Sequence, residues 1–426
     1  YHHELTESLN INFFNYLIDE SYSANAGTLN YWGTAEGGRL RNFSIGNVEL
    51  RGNNGVTSLN MGFDTRKTNY GFGNIDINNK ARDLYVALHH QWLPNDSYSL
   101  EAGVAYTNRW ISLNDQVPQL PFALSPESPI LQMEGVRRLS NLEFFTYQSW
   151  KPFENTTLTA GVRSNLPTED QSDYVSFQLG WRQYFNTSTS ILLSGGFYHN
   201  YSAPNFFNSS FALLTSRQLS LDVEHIQEDY KLKAALFYKK ESGEFIDEFL
   251  VSNGQETFGI EFSAEKQFGR YFEASLANTF LDQHTTFGSN RYRGSLDLNY
   301  FVKAQVSFVH PKLFSASLIY VTRPGTFFTP LEDAVFDGEE LGTYIPIFSD
   351  VPNSAQYTDY NNLSFSLSKY KSYDGGSWTA FLNINNILNI RNQQSIYFDS
   401  NFEQAYNNYF QLRTIYFGVV LSFVTD

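Results

Sequence analysis

Short stretches of this chain alternate apolar and polar residues with a period of two. In Thr157–Arg163, Leu158, Ala160 and Val162 fall on one face and Thr159, Gly161 and Arg163 on the other, because successive side chains of a strand point to opposite sides. Trp378, Ala380, Leu382 and Ile384 oppose Ser377, Thr379, Asn383 and Asn385, with Phe381 as an intruder on the polar face. Leu363, Phe365 and Leu367 alternate with Asn362, Ser364, Ser366 and Ser368, and the last segment puts Ile415, Phe417, Val419, Leu421 and Phe423 together. No helical periodicity persists over three turns, and no apolar run is long enough to span a membrane as a helix. The pattern predicts an all-β chain. Its polar faces carry Ser, Thr, Asn and Gly rather than long charged side chains, which suits a wet lumen. A β-sandwich would need two apolar faces meeting in a core.

The predicted strands lie at about 5–16, 39–50, 56–65, 82–93, 97–111, 135–150, 155–166, 173–185, 188–200, 213–225, 229–241, 256–268, 271–283, 298–309, 312–322, 358–370, 377–389 and 411–423. The joins alternate. Short turns are expected at 51–55, 94–96, 151–154, 186–187, 226–228, 269–270, 310–311 and 371–376. Long loops are expected at 17–38, 66–81, 112–134, 201–212, 242–255, 284–297, 323–357 and 390–410, with a shorter one at 167–172. Short periplasmic turns alternating with long extracellular loops are the topology of a transmembrane antiparallel β-barrel. With about 18 strands, both termini lie on the periplasmic side.

Composition strengthens this reading. The chain of 426 residues carries 38 Phe, 28 Tyr and 6 Trp, yet only 2 Met. A barrel needs rings for its lipid face and polar residues for its lumen. Twenty-nine basic against 44 acidic residues give a net charge of −15, which excludes a nucleic-acid partner, since that backbone requires a basic surface. With no cysteine, a disulfide framework and a thiolate metal site are both excluded. No signal peptide is visible at Tyr1.

Ser149-Trp150-Lys151-Pro152-Phe153 leads into Leu158–Arg163, and Gly195–Pro204 ends in an aromatic, a small residue and proline; the first resembles a strand pair, and the second a strand, of the TonB-dependent outer-membrane receptors of the Bacteroidota type. Phe258-Gly259-Ile260-Glu261-Phe262, Arg323–Pro330, Tyr357–Leu367 and Asn385-Asn386-Ile387-Leu388-Asn389 resemble further family segments in family order. The series covers about 150–426, whereas 1–135 fits the topology without a motif. Departures are Leu213–Gln218, where the family has a different opening, and Phe423, which stands three residues before the end. Nothing in 1–50 resembles the family's plug or TonB box. The resemblance implies a 22-stranded barrel, of which about 18 strands fall in 1–426, and places the plug and the first strands outside this sequence. It further implies an outer-membrane lipid environment, a plug inside the lumen, and TonB as energy source for import of a scarce bulky solute of the siderophore, cobalamin-like or oligosaccharide class. A passive porin of about 18 strands and a structural barrel of an envelope complex are the alternatives.

No nucleophile–His–acid set, phosphate loop or metal-spaced cluster is present, so the chain does not read as an enzyme and calls for no cofactor or metal. His2 and His3 sit at the start, and His89 and His90 point to opposite faces of one strand. Arg163, Glu261 and Glu265 are expected in the lumen. The acidic residues of 323–357 are those of a hydrated loop, although calcium also favours such oxygen clusters. Candidate ligand contacts near the extracellular end are Tyr198, His199, Tyr201, Phe206, Phe207, Arg323, Phe327, Phe328 and Tyr344. Rings on loops give contact area at low entropic cost; the outer aromatic girdle is an equal claimant on them, and for His199 an ordinary rim position is the default.

Overall fold

The computed structural model describes residues 2–27, 31–120, 123–169, 171–202, 211–247, 250–295, 297–338, 343–399 and 401–423. All regular structure among them is strand. The first seven are β1 (His2–Thr6), β2 (Leu9–Gly27), β3 (Trp32–Gly52), β4 (Gly55–Phe72), β5 (Ile75–Asn95), β6 (Tyr98–Pro118) and β7 (Ile130–Phe153). Next come β8 (Thr156–Pro167), β9 (Val175–Tyr184), β10 (Thr189–Tyr201), β11 (Leu213–Ile226), β12 (Tyr230–Asp247), β13 (Leu250–Phe268) and β14 (Phe272–Phe287). They are followed by β15 (Asn290–Arg293), β16 (Phe301–Val309), β17 (Ser315–Arg323), β18 (Phe327–Phe328), β19 (Leu331–Asp337), β20 (Thr343–Phe348) and β21 (Ala355–Gln356). The last five are β22 (Tyr360–Tyr373), β23 (Gly376–Asn385), β24 (Gln393–Phe398), β25 (Ala405–Tyr409) and β26 (Thr414–Phe423).

Twenty strands join in one antiparallel sheet that runs as a meander from β1 to β26. Short β15 is appended to the end of β14. Three two-stranded sheets, β18–β21, β19–β20 and β24–β25, stand apart from it. Among the described residues β26 pairs with β23 alone, and no ladder joins it to β1 or β2.

Register assigns the faces, because directly paired residues share a side. Thr146, Val162 and Phe177 form one such row, and Leu193 pairs with both Trp181 and Leu221. The row continues through Leu236, Ile260 and Phe280. Val162, Leu179, Leu193, Leu236, Ile260 and Phe280 are all exposed. An exposed apolar belt backed by polar residues on the opposite face is the wall of a membrane barrel. The faces expected for Leu158, Ala160 and Val162 against Thr159, Gly161 and Arg163 are those observed.

Several expected loops are strand instead. Residues 17–27 and 32–38 extend β2 and β3, and 66–81 extends β4 and β5 around a turn at Gly73 and Asn74. Much of 242–255 continues β12 and β13 in the same way. These extensions rise above the lipid, where both faces are wet. Apolar alternation fades there while the backbone ladder continues. Gly73 turns the β4–β5 hairpin at φ +60, and a Cβ there would stand 2.0 Å from the Leu124 carbonyl oxygen.

Candidate functional site

On the luminal face, polar side chains of adjacent strands reach one another laterally. The Asn12 amide donates to Asn47 (3.1 Å), and the Asn47 amide to Asn60 (2.9 Å). The Asn60 amide donates to His89 Nε2 at 3.1 Å, which leaves Nδ1–H to donate to Glu101 at 3.0 Å. That hydrogen bond fixes the tautomer. This chain of contacts crosses five strands, β2 to β6. Arg41 grips Asp64 with two parallel bonds, Nε to Oδ1 at 2.9 Å and Nη2 to Oδ2 at 2.7 Å. Arg109 faces Asp83 at 3.3 Å. The luminal charges are therefore largely paired within the wall, and Glu265 is paired with Lys231 at 3.1 Å.

Towards the rim of β7–β10 the polar wall becomes buried. Glu143 is only 5% exposed, and Asn165 2%. Glu143 Oε1 accepts from Arg163 Nη2 at 2.5 Å and from the Tyr174 hydroxyl. Burial and that hydrogen bond push the Tyr174 hydroxyl well above the ordinary tyrosine range, so it remains a donor. Asn165 donates to Asn141 and to the Tyr201 hydroxyl, and its own oxygen accepts from the Tyr174 backbone N–H. Ala81, Ile111, Leu113, Leu139 and Phe211 pack beside Tyr174 and Tyr201 as the core of this rim.

The candidate contact residues fall into two groups. Tyr198 is half-buried on β10, on the luminal side by register with Ser216 and Gly196. His199 stacks on Tyr174 with centroids 5.2 Å apart and shares a 2.9 Å hydrogen bond with Ser176. Tyr201 is buried and donates to the Ser172 carbonyl. The second group lies around β17–β22. The Arg323 guanidinium lies over the rings of Tyr360 (5.0 Å) and Phe410 (5.8 Å), which themselves meet edge to face at 5.3 Å, and it donates to the Pro324 carbonyl. Phe327 is buried beneath Arg293, and Phe328 stacks on Tyr357 at 4.2 Å. Tyr344 packs on Phe336 at 5.2 Å. Phe206 and Phe207 lie outside the described residues. Among those residues, no ring or hydrogen-bond contact joins the two groups.

Glu143, Asn165 and Tyr174 escape a reading of the sequence, although each occupies a luminal parity position. Parity is the only signal available for them. Among the described residues no three His, Asp or Glu side chains gather as a metal site would require.

No protein-family model and no curated protein sequence matches the chain. Its backbone does match solved structures. The ferric yersiniabactin uptake receptor FyuA from Yersinia pestis aligns over 98% of this chain and 68% of its own, with a TM-score of 0.72 and 14% identity. The fold is that of the outer-membrane receptor barrels. The outer membrane transporter YddB from Escherichia coli matches this barrel over 99% of the chain and 68% of its own (TM-score 0.68, 10% identity). BauA, the ferric preacinetobactin receptor from Acinetobacter baumannii, does so over 98% and 70% (TM-score 0.67, 11% identity). At these identities the likeness is one of architecture: an antiparallel receptor-type barrel with a polar lumen.

Proposed function

We propose that the chain is the barrel of a TonB-dependent receptor, lodged in the bacterial outer membrane and importing a scarce bulky solute. The siderophore, cobalamin-like and oligosaccharide classes are the candidates. The observation that carries this reading is the match of nearly the whole chain to the barrels of uptake receptors and transporters. In this reading a plug, supplied by sequence outside 1–426, fills the lumen against the polar rows of β2–β8, and TonB delivers the energy. Arg41–Asp64, Asp83–Arg109 and Arg163–Glu143 are paired within the wall. A plug sliding past them would not have to break strong ion pairs of its own. Tyr198, His199, Tyr201, Arg323, Phe327, Phe328 and Tyr344, with Phe206 and Phe207, are proposed as the residues nearest an entering solute.

The test is growth of the host deprived in turn of iron, cobalamin and complex glycans, with the gene deleted or TonB removed. One limitation should expose a growth defect, and both lesions should cause it equally. Uptake that persists unchanged without TonB would overturn the receptor and favour a passive porin.

A further inference from the structure

The outer wall of β4–β7 carries an unpaired basic layer immediately above the lipid belt. On the outward face of these strands, Leu59, Leu88, Val104 and Phe144 form one apolar row, and Met61, Val86, Tyr106 and Leu142 the next. Two rows higher, register aligns Thr65, Arg82, Trp110 and Arg138. Lys67 directly opposes Lys80 one row above that. All four cations are exposed. Among the described residues none of them meets a carboxylate within ion-pair distance.

Height follows from strand geometry. Ten residues of β5 separate Trp92, on the same face near the short turns, from Arg82. At about 3.4 Å per residue and a tilt of about 40°, the two stand roughly 26 Å apart along the membrane normal. A lipid belt is about 25 Å tall. Trp92 and Trp110 therefore occupy the two aromatic girdles, and Arg82 and Arg138 stand at the level of the outer headgroups. Between them lies a cleft of about 460 Å³, lined by Phe63 and Leu84 below, Arg82, Asp83, Asn108, Trp110 and Arg138 across, and Glu169 on the loop above; the Asp83 carboxylate faces Arg109 at 3.3 Å. The Arg82 guanidinium rests 5.4 Å from the Trp110 ring centroid, which orients it without consuming its donors.

We propose that this cleft binds the phosphate of an outer-leaflet lipid headgroup. Arg82 and Arg138 supply planar forks that match phosphate oxygens, Lys67 and Lys80 add charge above, and the acyl chains lie along Phe63 and Leu84. A cation bordering an apolar surface attracts anionic headgroups over free anions, because the lipid gains apolar burial as well. The inference rests on the membrane setting proposed above. Heat-modifiable migration and detergent dependence test that setting by themselves, so the two can fail separately.

The experiment counts lipid retained by the purified chain in native mass spectrometry after loading with diphosphorylated lipid A in phosphatidylcholine micelles. Fully dephosphorylated lipid A and inorganic phosphate are the comparison probes. The unaltered protein should retain the diphosphorylated lipid and not the dephosphorylated one, and millimolar inorganic phosphate should not displace it. Arg82→Gln with Arg138→Gln should lower retention about thirty-fold, while Lys312→Gln, in a short turn at the other end, should leave it unchanged. Equal retention by the double variant, or by the dephosphorylated lipid, would sink the proposal. Displacement by inorganic phosphate would reassign the cleft to free anions and overturn the lipid as its source. Should the double variant fail to migrate as a folded barrel, the dephosphorylated probe still decides whether phosphate is recognised. Arg138→Gln alone, at an exposed position, then decides whether this cleft is where it binds.

Discussion

Val162→Arg isolates the claim that one face of β8 lies in lipid. Val162 is 47% exposed and pairs outward with Thr146 on one side and Phe177 on the other. Leu158, four residues below on the same face, pairs with Trp150 and Trp181 of the lower girdle. Four residues at about 3.4 Å and a tilt of about 40° lift Val162 roughly 10 Å above those rings, close to the middle of a belt about 25 Å tall. An arginine there should cost about 2–4 kcal/mol, near a hundred-fold in the folding equilibrium at the centre of that range. Thr159→Arg, at an exposed luminal position on the same strand, keeps its charge in water and should cost less than about 1 kcal/mol. Reversible denaturant unfolding in lipid vesicles, read by tryptophan fluorescence, measures both. Equal losses in the two variants would refute the assignment of faces.

Other outcomes test the remaining parts. On whole cells, Gly338→Cys in the extracellular region should react with an impermeant maleimide and Asp374→Cys in a short turn should not; the reverse labelling would invert the topology. Glu143→Ala leaves Arg163 and the Tyr174 hydroxyl without their shared acceptor, so the melting transition of the refolded barrel should show a loss of about 1–3 kcal/mol. A Glu143→Gln change, which keeps one acceptor, should cost less. Gly73→Val combines a positive φ with a direct clash on Leu124, and limited proteolysis should then cut faster within 119–129 while the membrane-embedded strands stay protected.

Strand existence and facing are legible in the sequence wherever lipid wets one side only. Leu158, Ala160 and Val162, or Leu363, Phe365 and Leu367, announce themselves because their alternates must be polar. Above the membrane that contrast disappears: Thr68, Asn69, Asn78 and Asn79 pair as a regular ladder, yet they read as loop because both faces meet water. Turn chemistry marks the short connections, but Gly73-Asn74 is hidden inside a polar stretch. The rim cluster is out of reach for another reason. Arg163 meets Glu143, and Asn165 meets Tyr201, only through the registers of β7–β8 and the β9–β10 region. Those registers are set by the ladder as a whole, not by local spacing. Arg323 is legible as a rim cation, whereas its two ring partners come from β22 and from the segment before β26.

The unequal height of the wall has a mechanical consequence. Strands β3, β5 and β6 run to 21 residues and β7 to 24, while β16 and β17 have 9 and β23 and β26 have 10. At about 2.6 Å of height per tilted residue, the first set reaches roughly 55 Å and the second roughly 25 Å, no more than the lipid itself. The tall side is one stiff parapet, since bending any hairpin out of it breaks ladder bonds to both neighbours. The low side is completed by β18–β21, β19–β20 and β24–β25, whose ladders are separate from that of the barrel sheet. They are held to the wall by single contacts instead of ladders: the Phe327 N–H donates to the Ser295 carbonyl, the Asn353 amide to the Arg293 carbonyl, and the Thr358 N–H to Gln393, so displacing them breaks fewer bonds than opening the tall side. The mouth therefore has a tall, continuously laddered back and a lower front assembled from small separate ladders, so its resistance to deformation differs from one side to the other.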